Sequence, residues 1–292
     1  MSTSETWTVR RLLQWTKEYF GTHGSDSPLL DAEILLANAL GLKRIELYTN
    51  YEIEPPEPQR TAFREVVKRR AAGEPVAYLV GHKEFFSLEF IVNKNVLIPR
   101  SETELLVVET LDRVKSRTKS GNIAIADIGT GSGCVAISIL KNSPNVTITA
   151  IDISREALSV ASQNAEKHSV TDRIKFVESN LFANILSETK FDIVAANLPY
   201  ISTAEYEQLQ TQVKNYEPKQ ALLAGNNGTE IIASLITESQ NRLNSGGTLL
   251  LELSPMIAAD CSKLLTNKYW SNVTILKDDA RLDRVLIADL IK

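Results

Sequence analysis

Cysteine, histidine and net charge are all scarce in this chain, and each scarcity removes a class of function. Two cysteines, Cys134 and Cys261, in 292 residues make no disulfide framework, and three histidines with no Cys/His cluster give no metal site. A formal charge of -4 disfavours a broad nucleic-acid-binding surface, so no stable nucleic-acid binding is expected and a protein partner is easier to accommodate. No uninterrupted apolar run reaches the length that spans a bilayer, and the opening Met1-Ser-Thr-Ser-Glu-Thr-Trp7 lacks the charged region and apolar core of a secretory signal. The expectation is a cytoplasmic protein without membrane attachment. Its hydrophobic fraction of 43% is ample for folding, and its length suggests two domains.

The character of the chain changes near residue 85. Before it, the apolar spacing predicts helices over Thr8 to Phe20, Pro28 to Leu40 and Glu57 to Ala72, with Ser27 as an N-cap and Pro28 at the first helical position. Val9, Leu12, Leu13, Leu30, Ile34 and Leu35 would give these helices a small core of their own. Arg60, Arg64 and Lys68 share one helical face, which reads as a solvated face or as a docking surface for an anionic partner. Phe85 to Pro99 suggests a hairpin turning at Asn93-Lys94-Asn95. From about residue 105, strand and helix alternate regularly. Strands near 123-127, 146-151, 174-178, 191-196, 248-253, 273-277 and 284-290 predict an α/β fold with a seven-stranded sheet. The stretch 201-228 is a polar insertion, and a connection that long is usually functional.

Two segments of the second half carry chemistry. In Asp127-Ile-Gly-Thr-Gly-Ser-Gly-Cys134 a buried strand breaks into a glycine turn and a helix follows. Gly129, Gly131 and Gly133, with Thr130 and Ser132 between them, let a ligand approach the backbone without a Cβ in the way. Cys134 stands where a dinucleotide-binding fingerprint would carry Gly or Ala, so a nicotinamide or flavin fits less well than S-adenosylmethionine, which has no pyrophosphate. Val146-Thr-Ile-Thr-Ala-Ile-Asp152 is a second β-branched run ending in a carboxylate that can accept hydrogen bonds from ribose hydroxyls, or can instead serve the start of the next helix. Asp127 has a similar choice between bracing the glycine turn and meeting the ammonium of the methionine part.

The second segment, Phe191-Asp-Ile-Val-Ala-Ala-Asn197-Leu198-Pro199-Tyr200, is a buried strand that ends in a polar-Pro-aromatic tetrad. A carboxamide or an exocyclic aromatic amine is a poor nucleophile because its nitrogen lone pair is delocalised. An enzyme that methylates it must hold both N–H groups so that the lone pair points at the methyl. The Asn197 side-chain oxygen and a backbone carbonyl of the turn at Leu198 can accept those hydrogens, and Tyr200 offers an aromatic face. Pro199 stiffens the turn. Catalysis of this kind is alignment and electrostatics, with no strong base.

These segments, together with Glu74-Pro-Val-Ala-Tyr78 and Gly81, Val96-Leu-Ile-Pro-Arg-Ser-Glu102-Thr-Glu104, Tyr216-Glu217-Pro218, Ala221-Leu222, Gly228 and Asp283-Arg284-Val285, resemble the HemK/PrmC family, the N5-glutamine methyltransferases of peptide chain release factors. The similarity runs over nearly the whole length. It implies a helical N-terminal substrate-docking domain (1-84), a hairpin linker (85-104) and a Rossmann-like, seven-stranded methyltransferase domain (105-292). It also implies a monomer acting on the glutamine of the Gly-Gly-Gln loop of class-1 release factors. By resemblance, Asp127, Gly129 to Gly133, Asp152, Leu181 and Asn197 hold S-adenosyl-L-methionine and its product S-adenosyl-L-homocysteine, while Asn197, Leu198, Pro199 and Tyr200 hold the glutamine amide. The chain departs from the family pattern at Leu198, usually Pro, at Asn180, usually an acid, and at Leu181, often larger. Ser101 replaces a usual proline, and Leu253-Ser254-Pro255 a more usual Ile-Gly. An adenine-N6 DNA or RNA methyltransferase, a methyltransferase of another protein glutamine, and a non-catalytic adenosylmethionine-binding protein remain as alternatives.

Overall fold

The computed structural model describes residues 6-117 and 121-291, which divide into two compact units. One comprises the chain up to His82 together with Thr211–Tyr216; the other comprises Lys83–Gln210 and everything from Glu217 onward.

The first unit is helical: α1 (Val9–Thr22), α2 (Pro28–Leu40), α3 (Arg44–Thr49), α4 (Glu57–Ala71) and α5 (Val76–Val80). Thr8 caps α1 by accepting the Arg11 N–H. Gly41 ends α2 in the left-handed conformation, which lets the Leu42 N–H return to the Ala37 carbonyl at 2.9 Å. Ser27 stands at the predicted N-cap of α2, with Pro28 opening the helix, but its side chain makes no capping bond. Val9, Leu13, Phe20, Leu35, Leu36, Leu47, Phe63 and Val67 form the unit's own core. The short helices α3 and α5 carry too few turns for an apolar period to announce them.

The cationic face of α4 carries its own counter-charges. Arg60 pairs with Glu54 and Glu57, Arg64 approaches Glu57 at 3.8 Å, and Lys68 meets Glu65 at 2.8 Å. Arg70 turns inward to Asp31 at 2.8 Å, a pair held further by the Ser25 hydroxyl.

In the second unit the hairpin is β1 (His82–Phe85) and β2 (Leu88–Ile91). Its turn is Phe86-Ser87, both at positive φ, and not the predicted Asn93-Lys94-Asn95. Two side chains poorly suited to that geometry occupy a tight two-residue turn, while Phe85 and Phe90 are buried in the core; packing overrides turn chemistry. Asn93 makes a separate turn, its carbonyl accepting the Val96 N–H and its side chain the Asn95 N–H.

The alternation then proceeds through α6 (Glu104–Ser116), β3 (Ile123–Ile128), α7 (Cys134–Asn142), β4 (Val146–Asp152), α8 (Arg155–Lys167), β5 (Ile174–Glu178) and β6 (Phe191–Ala196). The insertion is not structureless: it holds β7 (Ile201–Ser202), α9 (Thr203–Glu207), α10 (Thr211–Tyr216) and β8 (Leu223–Gly225), of which β7 and β8 pair in parallel. The chain closes with α11 (Glu230–Ser239), β9 (Leu243–Glu252), α12 (Ala258–Leu264), β10 (Trp270–Lys277) and β11 (Asp283–Leu290).

The sheet has seven strands in the order β10-β11-β9-β6-β3-β4-β5. β9, β6, β3, β4 and β5 run parallel, and β11 enters antiparallel between β9 and β10. Helices cover both faces, so the central strands are apolar throughout: Ile125, Ile148, Ile193 and Leu250 belong to one core, Ile128, Ile151, Val194 and Leu251 to the other. β3 leads to β4 on one side and has β6 on the other. That reversal opens a crevice at the carboxyl ends of β3 and β6, where a ligand binds in folds of this kind.

Candidate functional site

Four neighbouring strands end in polar side chains along that carboxyl edge: Glu252 on β9, Asn197 just beyond β6, Asp127 on β3 and Asp152 on β4. Beside them lies a cavity of about 690 Å³, lined by Asp127, Gly129 to Ser132, Asp152, Asn180, Leu181 and Asn197 to Pro199, and by Val96 to Arg100, Thr103 and Pro218 to Ala221. This volume lies within the range of a small-molecule site.

The glycine turn is braced from both sides. Gly129 and Thr130 donate N–H groups to the Ile151 carbonyl at 2.8 and 3.0 Å, and Thr130 Oγ donates to Asp127 at 2.6 Å. Gly129 sits at positive φ, and a Cβ there would come within 3.0 Å of the Leu198 side chain and 3.3 Å of the Asn197 carbonyl. The absence of a side chain at Gly129 is what lets the turn and the tetrad meet. Gly133 is different. Its missing Cβ leaves room for Ile137 and Ala161, and it stands outside the cavity wall, so it serves the packing of α7 on α8.

Asp152 accepts the Gly131 N–H on one oxygen and the Ser154 N–H on the other, each at 2.9 Å, while Ser154 itself caps α8. The acid therefore braces the turn and faces the cavity at once. Burial holds the Asp152 carboxyl above its ordinary value, against the pull of the Ser154, Gly131 and Ile153 N–H groups. Burial also pushes Asp127 up to about 6, even though Thr130 stabilises its charge. Leu181 is held at positive φ, an uncommon conformation for a branched apolar residue, with its side chain in the cavity wall and mostly buried.

Asn197 donates from Nδ2 to Thr103 Oγ at 3.1 Å, and among the described residues its Oδ1 has no protein partner. Leu198 is buried against the glycine turn and Pro199 lines the cavity, whereas Tyr200 is packed against the second core and does not reach the cavity wall. Burial pushes the Tyr200 hydroxyl up to about 12, with the nearby Glu252 adding to it.

Several site residues escaped the sequence reading. Thr103 holds the tetrad's asparagine, and Glu252 stands behind both. Glu217, buried, accepts from the Ile98 N–H at 3.3 Å and pairs with Arg100, which fixes the segment 96-100 in the cavity wall. Asn164, fully buried on α8, exchanges hydrogen bonds with Ile91 and donates to the Ser132 carbonyl at 2.9 Å, tying the hairpin to the glycine turn. Thr103 and Glu217 fall within segments that carry the family resemblance, though no role was implied for them, and Glu252 had a signal of its own: like Asp127 and Asp152, it is an acid closing an apolar strand.

The arrangement can seat an adenosine-bearing ligand against the glycine turn and a planar amide against Asn197. Residues 11-81 match the family model of the PrmC N-terminal domain, and residues 102-216 match that of the methyltransferase small domain. The chain is 49% identical to the release factor glutamine methyltransferase of Rhodopirellula baltica, covering 96% of this chain and 95% of that one. It is 39% identical to the release factor glutamine methyltransferase of Nitratidesulfovibrio vulgaris, with the same two coverages. The chain belongs to the release factor glutamine methyltransferase family.

Solved structures share the fold with this family member at low identity. The hMettl16 catalytic domain, solved in complex with the MAT2A 3'UTR hairpin 6, is 18% identical with a TM-score of 0.54, over 76% of this chain and 81% of that one. A methyltransferase from Pyrococcus furiosus is 19% identical with a TM-score of 0.50, over 77% and 98%. No helix among the described residues is long and apolar enough to cross a membrane, and no group of His, Cys, Asp and Glu among them is arranged to hold a metal ion.

Proposed function

We propose that this protein transfers a methyl group from S-adenosyl-L-methionine to the side-chain amide nitrogen, N5, of the glutamine in the Gly-Gly-Gln motif of class-1 peptide chain release factors. The observation that carries the reading is that Asn197, its Oδ1 free of protein partners among the described residues, stands in the wall of the same cavity as the glycine turn, within a chain that aligns over 96% of its length with a release factor glutamine methyltransferase.

The residues present suit the donor. Gly131 leaves room where a Cβ would stand, with the Thr130 hydroxyl turned to Asp127, Asp152 is a carboxylate at the position that meets ribose hydroxyls, and Leu181 is an apolar wall for adenine. Bound there, S-adenosyl-L-methionine would supply an electrophilic methyl group on a sulfonium. The protein's own part is alignment. Asn197 Oδ1 and the Leu198 carbonyl accept the two amide hydrogens of the glutamine, and Pro199 stiffens the turn that holds them. Tyr200 supports this turn from the core side.

The helical domain, residues 1-84, serves as the docking element, residues 85-104 as a linker and residues 105-292 as the catalytic domain. Because the basic face of α4 is neutralised by its own carboxylates, docking there would rest on shape and apolar contact more than on net charge. A monomer working on a soluble translation factor belongs in the cytoplasm. Mass spectrometry of a purified release factor after incubation with this protein and the donor tests the proposal. One added methyl on the Gly-Gly-Gln glutamine is expected. Methyl transfer only to DNA or RNA oligonucleotides offered in parallel would overturn it.

A further inference from the structure

Behind Asn197 lies a buried carboxylate that the alignment chemistry above does not use. Glu252 ends β9 next to Asn197, beyond the cavity wall; it is 2% exposed, and its Oε2 has no hydrogen-bond partner among the described residues. An unpartnered buried carboxylate oxygen is costly, so its retention beside the tetrad asks for a role.

The chemistry of three side chains supplies one. An asparagine amide is nearly symmetric in shape, and turning it over exchanges an acceptor for a donor. A threonine hydroxyl does not choose between the two faces, because it can donate or accept. An ionised carboxylate does choose, since it only accepts. With Thr103 Oγ 3.1 Å from Asn197 Nδ2, and with Ala196 paired to Leu251 so that Glu252 stands beside Asn197 where both side chains favour its charged form, the carboxylate is the group that breaks the tie.

We propose that Glu252, with Thr103, is a positioning residue: the carboxylate draws the Asn197 amide nitrogen and the Thr103 hydroxyl toward itself, and so leaves Asn197 Oδ1 turned to the acceptor amide. This rests on the methyl-transfer reading for its consequence in catalysis, but its structural content can be tested without it.

Burial pushes Glu252 up to about 7, with Thr103, Arg284 and Asn197 pulling down and Glu102 pushing up. The charged or titratable groups facing it are Arg284 from β11, Glu102 from the turn Ser101–Thr103, Tyr200 from the tetrad and Cys134 from the start of α7. Burial pushes Tyr200 and Cys134 each up to about 12, so neither titrates near neutral pH. Protonated, Glu252 becomes a donor to the Thr103 hydroxyl, and the preference for one orientation of Asn197 is lost.

Two measurements test this on the full-length protein. In nitrogen-15 NMR, the Asn197 side-chain amide signals should move with pH through a midpoint near 7 in the wild type and should not move in that range in Glu252→Gln. An Asn197 signal with the same titration in wild type and Glu252→Gln overturns the proposal, whether or not methyl transfer is seen. In methyl-transfer assays, wild-type kcat should rise with pH through the same midpoint. Glu252→Gln should lower kcat at pH 8 about tenfold and flatten that rise, with KM for the donor unchanged. Thr103→Val should behave likewise, and Thr103→Ser, which keeps the hydroxyl, should recover most of the loss. Wild-type kcat and pH profile in both Glu252→Gln and Thr103→Val would overturn the positioning role. Failure of the release factor assay with the wild type would instead count against the proposed function, and the NMR titration would still decide the inference.

Discussion

The carboxylates on the glycine-turn side of the cavity are held by partners near them in sequence, whereas the tetrad side is assembled from across the chain. Thr130 bonds Asp127 three residues away, Asp152 takes the Ser154 N–H two residues on, and its longest reach, to Gly131, is 21 residues. Asn197 meets Thr103 across 94 residues, and Glu217 meets Ile98 across 119. The first side has its carboxylates tied to backbone N–H groups at Asp152 and to the Thr130 hydroxyl at Asp127; the second keeps a buried carboxylate oxygen with no partner among the described residues. A locally braced surface suits a ligand that must bind the same way each time. A long-range assembly lets several elements of the fold act on one amide's orientation, and it should therefore be the side where substitutions alter rate more than affinity.

The sharpest break in that comparison should come at Asn197. Asn197→Ala is expected to lower the single-turnover rate at least about a hundredfold, because the acceptor amide loses its aligning oxygen. Rapid-quench kinetics with saturating donor measures it.

Next in size is a stability effect from Glu252. In the folded protein its carboxyl is pushed up to about 7, while in the unfolded chain it has its ordinary value near 4.3. The stability associated with this raised group is fully present below the unfolded value and is lost as pH rises through 7. Glu252→Gln has no such dependence. Relative to the wild type it should gain on the order of 3 kcal/mol between pH 4 and pH 8, read from urea unfolding at the two pH values. Asp127 contributes a dependence of the same sign to both proteins and cancels in the difference.

On the other side of the cavity, Asp152→Ala should weaken donor binding by about 1.5–3 kcal/mol, part of it through the Gly131 N–H left without its acceptor. Calorimetry on the variant checks this. Because burial raises the Asp152 carboxyl, wild-type donor affinity should also fall as the solution is acidified toward the carboxylate range. The smallest effect concerns Leu198. Leu198→Pro should change methyl transfer by less than about tenfold, since the group needed is a backbone carbonyl and proline keeps it. Its side chain lies on Gly129, so the change should appear mainly as a lower denaturation midpoint.

The same contrast of local and distant bracing explains what could be read without coordinates. The seven strands were legible because a strand buried on both faces is a continuous apolar run, and Ile123 to Ile128 or Phe191 to Ala196 fits little else. Asp127, the glycines and Asp152 stood out because their chemistry is contained in short windows. Thr103, Glu217 and Asn164 did not, because a threonine, a glutamate or an asparagine in a helix or loop becomes a bracing group only through partners that the fold brings from afar. The hairpin turn was misplaced because turn chemistry pointed to Asn93-Lys94-Asn95, while burial of Phe85 and Phe90 put the reversal at Phe86-Ser87.

The claim that the two sides of the cavity divide binding from alignment is tested most directly by the donor affinity of Asn197→Ala, measured by calorimetry beside the wild type and Asp152→Ala. Asn197→Ala is expected to bind S-adenosyl-L-methionine within about twofold of the wild type while its transfer rate collapses. A loss of donor affinity as large as that of Asp152→Ala would contradict it.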